Sequence, residues 1–157
     1  MKKYVRIFLI IATVILLGGC VHHIHDITKI SIIACSGTVS PEYQWEEELT
    51  ITPQEITLIR TGSAEDTKIN TGSWIIPVDE TEVNTLFAQI EEINFAQIKE
   101  RWFTDERTGD GYKEYTINYG NGEILTIEYD QNKDYKNIDI ISDPIREFLS
   151  HQDIPAK

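Results

Sequence analysis

Apolar and polar side chains alternate along residues 44–51, and this alternation narrows the possible folds more than any other stretch of the chain. Trp45, Leu49 and Ile51 lie on one side of the alternation, whereas Glu46 and Glu48 lie on the other. A period of two residues is typical of a β-strand with one buried and one solvated face. A turn at 52–55 and a second apolar run at 56–61 follow, so the sequence predicts a hairpin over residues 44–61.

Glu47 breaks the pattern, because it lies on the same side as Trp45 and Leu49. A carboxylate on an apolar face needs a partner. We therefore expect an ion pair between Glu47 and either Arg60 or Lys68.

A second hairpin is indicated by residues 112–119 and 123–130, on either side of Gly120–Gly122. A two-residue turn would place Ile117 opposite Thr126. A three-residue loop would instead pair Ile117 with Leu125 and Tyr115 with Ile127, which collects the apolar side chains on one face. We therefore predict the three-residue loop, with Gly122 as its left-handed residue.

An amphipathic helix is predicted from Asp79 onwards. Asp79 is a favourable N-cap, and Glu82 three residues later completes the pattern of a capping box. Apolar residues then recur at helical spacing, at Val83, Leu86, Phe87, Ile90 and Ile93.

Two more strands and a short final helix complete the predicted order of elements. Strands are expected at 30–35 and at 68–78, the latter with Gly72 as a bulge. Asp143 as the cap and Pro144 at the first position predict that the last helix begins there. The fold class is therefore α+β: an antiparallel sheet built mainly of hairpins, packed on one face by one amphipathic helix and a short C-terminal helix.

The first residues have the pattern of an export signal. A basic start is followed by eleven largely apolar residues, Ile7–Leu17, whereas a membrane-spanning helix needs about 20. The next residues, Leu17-Gly18-Gly19-Cys20, resemble the lipobox of prokaryotic lipoproteins. These features predict a signal peptide at 1–19, a tether at 20–28, one domain at 29–151 and a tail at 152–157.

The lipobox resemblance implies that Cys20 carries a diacylglyceryl group, so that the membrane is a partner and the protein is exported and anchored to the cell envelope. Two acyl chains give stable anchoring. An uncleaved N-terminal anchor and a plain secretory signal are the alternatives. The net charge of −12 argues against nucleic acid as a partner. It also predicts that an anionic membrane surface repels the domain.

The body of the chain is similar to exported prokaryotic domains of the same layout, over about residues 30–150. The similarity lies in Thr71–Asp79, Leu86-Phe87, Asp110-Gly111, Tyr115–Ile117 and Pro144–Arg146. It carries no activity with it.

Metal ligands are most concentrated in the tether, at His22, His23, His25 and Asp26. Imidazole and carboxylate groups are ligands that zinc, copper and nickel accept. Metal capture is therefore one functional hypothesis, and a polar spacer is the alternative. We expect no cofactor.

The leading hypothesis is a non-catalytic binding module with an envelope protein as its partner. Its expected binding surface includes Trp45 and Trp102, together with Asp105 and Asp110 in the loop 104–111, which would insert into a target if the protein were inhibitor-like. The sequence contains no G-x-S-x-G, H-E-x-x-H or P-loop motif, so we expect no enzyme activity. A small hydrolase is the third hypothesis and requires a pocket of acidic residues.

Overall fold

The computed structural model describes residues 27–102, 111–129 and 133–157, and it has the α+β architecture expected from the sequence. The strands are β1 (Ile27–Cys35), β2 (Trp45–Ile51), β3 (Glu55–Gly62), β4 (Gly72–Pro77), β5 (Lys99–Trp102), β6 (Lys113–Tyr119), β7 (Ile124–Tyr129) and β8 (Lys133–Lys136). The two α-helices are α1 (Glu80–Glu91) and α2 (Asp139–Ser150). Short 3-10 turns occupy Pro41–Tyr43 and Phe95–Gln97.

Six strands form one antiparallel sheet in the order β4-β3-β2-β1-β6-β7. The hairpin predicted at 44–61 is confirmed as β2–β3, with Leu49 opposite Leu58 and Ile51 opposite Ile56. Strand β1 lies in the middle and pairs with β2 on one side and β6 on the other.

The hairpin β6–β7 has the predicted register. Ile117 lies opposite Leu125, and Tyr115 lies opposite Ile127. Gly122 has a φ of 89°, in the left-handed region. The choice of loop length from the apolar pattern is therefore confirmed.

Helix α1 begins as predicted. The Asp79 carboxylate accepts hydrogen bonds from the backbone N–H groups of Thr81 and Glu82, at 2.7 and 3.3 Å. The helix buries four apolar residues against the sheet, at Val83, Leu86, Phe87 and Ile90. This stripe, together with the buried Ile141, Ile145 and Phe148 of α2, forms the helical side of the core.

The predicted start of α2 is wrong by one turn. The helix begins at Asp139, and Pro144 lies inside it. The additional turn brings Ile141 into the core with no exposed surface, and this burial offsets the hydrogen bond that proline cannot make. Asp143 accepts a hydrogen bond from Arg146 at 2.9 Å and does not cap the helix.

Two strands also begin at positions other than those predicted. Strand β4 begins at Gly72, so Gly72 is its first residue and not a bulge. The Asn70 carbonyl accepts a hydrogen bond from Arg60 Nη1, which takes this segment out of the ladder. Strand β1 begins at Ile27, within the segment expected to be tether, because the Ile27 N–H donates to Glu91 Oε1 at 3.0 Å and its side chain is buried.

The connector after α1 contains structure that the sequence pattern did not indicate. Strands β5 and β8 pair as a separate two-stranded sheet, with Lys99 opposite Lys136 and Trp102 opposite Lys133. The buried Tyr135 ties this small sheet to the core.

Candidate functional site

The helix-covered face of the sheet changes from apolar to polar along the strands. Two rows of facing residues are apolar: Ile76, Ile56, Ile51, Ile30, Ile117 and Leu125, then Trp74, Leu58, Leu49, Ile32, Tyr115 and Ile127. The next row, here called the polar row, consists of Gly72, Arg60, Glu47, Ala34, Lys113 and Tyr129. Three charged side chains therefore lie on the same face as the core.

A cleft of about 540 Å³ opens between the polar row and helix α2. Its sheet side includes Ala34 and Lys113, and its helix side includes Ser142, Arg146 and Leu149. Ala34 lies between Glu47 and Lys113 in the polar row. Its small side chain leaves space at the floor of the cleft. The volume lies within the range of small-molecule sites.

Beside the cleft, Arg60 and Glu47 form a buried ion pair. Arg60 is 2% exposed, and its Nε donates to Glu47 Oε2 at 2.7 Å. This confirms the expected pairing and selects Arg60 over Lys68. The Arg60 guanidinium also lies over the ring of Trp74, at 5.5 Å from its centroid.

The segment 152–157, expected to be a tail, lies against this ion pair. Arg60 donates to the carbonyls of Pro155 and Ala156, each at 2.9 Å. The Lys157 ammonium lies 3.0 Å from the centroid of Trp45 and 3.8 Å from Glu47 Oε2. One end of the cleft therefore holds a cation between an aromatic ring and a carboxylate.

The other end of the cleft is cationic. Lys113 lies 4.9 Å from the centroid of the Tyr115 ring and makes no ion pair with the residues that the structure describes. Arg146 stands across the cleft on α2, bonded to the exposed Asp143. Burial raises the pKa of Tyr115 to about 12, so its hydroxyl is protonated at neutral pH.

The pKa of Lys157 is set mainly by burial, and the charges around it act in both directions. Burial lowers the pKa of its ammonium below the usual value, and Glu47 opposes this shift. The charges of Arg60 and Lys113 lower it further. Among the described side chains that line the cleft, Glu47 is the one acidic group, against three cationic ones at Lys113, Arg146 and Lys157.

The structure separates the residues expected from the sequence to form a binding surface. Trp45 lines the cleft, whereas Trp102 lies on β5, 65% exposed and stacked with Lys133. Asp105 and Asp110 lie outside the described residues, as does most of the loop 104–111. Cys20 also lies outside them, as do the predicted metal ligands His22, His23, His25 and Asp26.

Sequence reasoning missed the cationic side of the cleft. The alternation that places Tyr115 and Ile117 inward also places Lys113 and Tyr129 inward, so a signal was present. Arg146 and Lys157 gave no such signal, because their approach to the sheet depends on how α2 packs and on where residues 152–157 run.

Comparison with known proteins gives no relative. No family model, no curated protein and no solved structure matches the chain. Within residues 27–102, 111–129 and 133–157, no group of three or more His, Cys, Asp and Glu side chains is placed to hold a metal ion. Neither helix of this part has the length and apolarity to cross a bilayer.

Proposed function

We propose that this protein is an exported, lipid-anchored binding module of the cell envelope, and that its cleft binds an anionic ligand without catalysis. The observation that carries the proposal is the surplus of cations in the cleft of a chain with a net charge of −12. Positive charge concentrated in one concave site attracts an anion there and not elsewhere on the surface.

The lining suits a ligand with a carboxylate and an apolar body. Lys113 and Arg146 supply charged donors, and the half-buried Tyr129 supplies a ring beside them. Hydrogen bonds from charged donors to a carboxylate are about twice as strong as neutral ones. Ile32 and Leu49 line the cleft next to the charged groups, so this part of its wall is apolar.

The cleft lies at the end of β1 that is far from Ile27, the first described residue. The described chain begins at Ile27, which is fixed to α1 through Glu91, whereas Ala34 lies seven residues further along the strand. Seven strand residues span roughly 23 Å. If Cys20 is lipidated, this arrangement points the cleft away from the membrane and towards soluble ligands or other envelope proteins.

The anchor is tested by expressing the full chain in bacterial cells and measuring the mass of the membrane-extracted protein. We expect a product that begins at Cys20 and carries acyl chains. The matched variant Cys20→Ser should remain unprocessed or leave the membrane fraction. An unmodified residue 20 in the wild-type protein would contradict the anchor.

The cleft is tested by calorimetric titration of the full chain with acetyl-Ala-Leu-Ala, a peptide with one carboxylate and no other charge. We expect saturable binding that is absent for the amidated peptide. Lys113→Gln should weaken binding at least about tenfold, since a charge-assisted hydrogen bond contributes about 1.5–3 kcal/mol.

Lys99→Gln on the exposed β5 is the matched control, and it should leave the affinity unchanged. Equal affinity for the acid and the amide, or no binding of either, would contradict an anion site in the cleft.

A further inference from the structure

We propose that the cleft has a second subsite that takes a cation, so that its preferred ligand is a short peptide with both termini free. The inference rests on the proposed function and specifies its ligand class. The cation subsite is the face of Trp45 beside Glu47, and the anion subsite is formed by Lys113 and Arg146.

The chain itself shows that an ammonium group fits the cation subsite. Lys157 Nζ lies 3.0 Å from the Trp45 centroid and 3.8 Å from Glu47 Oε2. Glu47 is held by Arg60 at 2.7 Å and its side chain is only 16% exposed, so its position is fixed. An aromatic face together with a fixed carboxylate is a favourable site for an ammonium ion.

Lys157 is a replaceable occupant. Its side chain remains 42% exposed, and burial together with two neighbouring cations lowers its pKa. The Arg60 contacts to this segment are made through the carbonyls of Pro155 and Ala156 and do not depend on the Lys157 side chain. An ammonium group of the ligand can therefore replace that of Lys157 while the rest of the segment stays bound.

The spacing of the subsites sets the length of the ligand. Glu47, Ala34 and Lys113 are neighbours on three successive strands, β2, β1 and β6. Two strand spacings are about 10 Å. An extended chain covers about 3.3 Å per residue, so a tripeptide places its amino and carboxyl ends at this separation. Ala34 leaves room for the middle residue.

The test compares Ala-Leu-Ala with acetyl-Ala-Leu-Ala by calorimetric titration of the full chain. The readout is the ratio of the two affinities. We expect the free peptide to bind about threefold more tightly in the wild-type protein, where its ammonium must displace Lys157. In Lys157→Gln the ratio should rise to about tenfold, which corresponds to about 1.4 kcal/mol and lies within the range of a partly desolvated cation–π contact.

Trp45→Leu should lower the ratio towards one, whatever the absolute affinities, because Glu47 alone then remains at the cation subsite. Trp102→Leu is the matched control, because this tryptophan lies outside the cleft, and its ratio should equal that of the wild-type protein. Binding of the acetylated peptide with a ratio of one in both the wild-type protein and Lys157→Gln would overturn this inference and leave the proposed function standing. Absence of binding by both peptides would overturn both.

Discussion

At the scale of single residues, Arg60 connects the core to the site. Arg60 lies at a buried strand position, and its guanidinium is fully engaged. It pairs with Glu47, lies over the Trp74 ring and donates hydrogen bonds to the carbonyls of residues 70, 155 and 156. A buried charge is tolerated only when it is paired and hydrogen-bonded in this way. Arg60 therefore fixes both the Glu47 carboxylate and the path of residues 152–157.

Replacing Arg60 by leucine should destabilise the fold by about 3 kcal/mol, because the partly buried Glu47 loses its closest cation and the carbonyls of Pro155 and Ala156 lose their donor. The double variant Arg60→Leu with Glu47→Leu should recover part of this loss, since it removes the unpaired charge. Urea denaturation measures both. A single variant as stable as the wild-type protein would show that the ion pair has no such role.

The Asp79 carboxylate should make the stability of the fold depend on pH. Hydrogen bonds from Thr81 and then from the backbone of Glu82 lower the pKa of Asp79 below its usual value of 3.8. A lowered folded-state pKa stabilises the fold above pH 3.8, and this contribution is lost as the pH falls through the folded-state value. The stability advantage of the wild-type protein over Asp79→Asn should therefore be constant at neutral pH and shrink below pH 3.8.

Thermal unfolding of the two proteins between pH 2 and pH 7 measures this difference. Asparagine keeps an oxygen acceptor at the cap but has no carboxylate to titrate. A difference that stays constant down to pH 2 would contradict the capping role of the Asp79 charge.

At the scale of elements, local sequence patterns correctly predicted those strands and turns whose formation depends on residues close together in the chain. Alternation located β2, β3, β6 and β7, and the apolar pairs of Tyr115 and Ile117 fixed the register of the last hairpin. The beginning of α2 was missed because the burial of Ile141 depends on a distant part of the core. Strands β5 and β8 were missed because a four-residue strand has too few positions to show a period.

The loop of the β6–β7 hairpin gives an element-scale prediction. Gly122 has a φ of 89°, and a Cβ at this position would meet no neighbouring atom. Gly122→Ala should therefore destabilise the hairpin by about 1 kcal/mol through backbone strain alone. Gly122→Asn should lose less, because asparagine tolerates the left-handed region. Equal stability of the alanine variant in urea denaturation would contradict the assigned loop conformation.

At the scale of the whole molecule, one face of the sheet forms both the hydrophobic core and the floor of the cleft. Near the beginning of β1, the two apolar rows pack against both helices. Near the end of β1, the polar row and α2 enclose the cleft. The sequence indicated the apolar part, because alternation shows which residues face inward. It could not indicate the cleft, which exists only because α2 and residues 152–157 meet the polar row in a particular way.

The most direct test of the cleft as an anion site is to map amide chemical shifts of the full chain by NMR while acetyl-Ala-Leu-Ala is added. We expect saturable shifts concentrated at Ala34, Lys113, Tyr129 and Arg146. Ala34→Leu, which fills the floor of the cleft, should abolish these shifts while the remaining spectrum stays folded. Shifts on the opposite face of the sheet, at Thr57, Thr116 and Thr126, or no saturable shifts at all, would contradict this expectation.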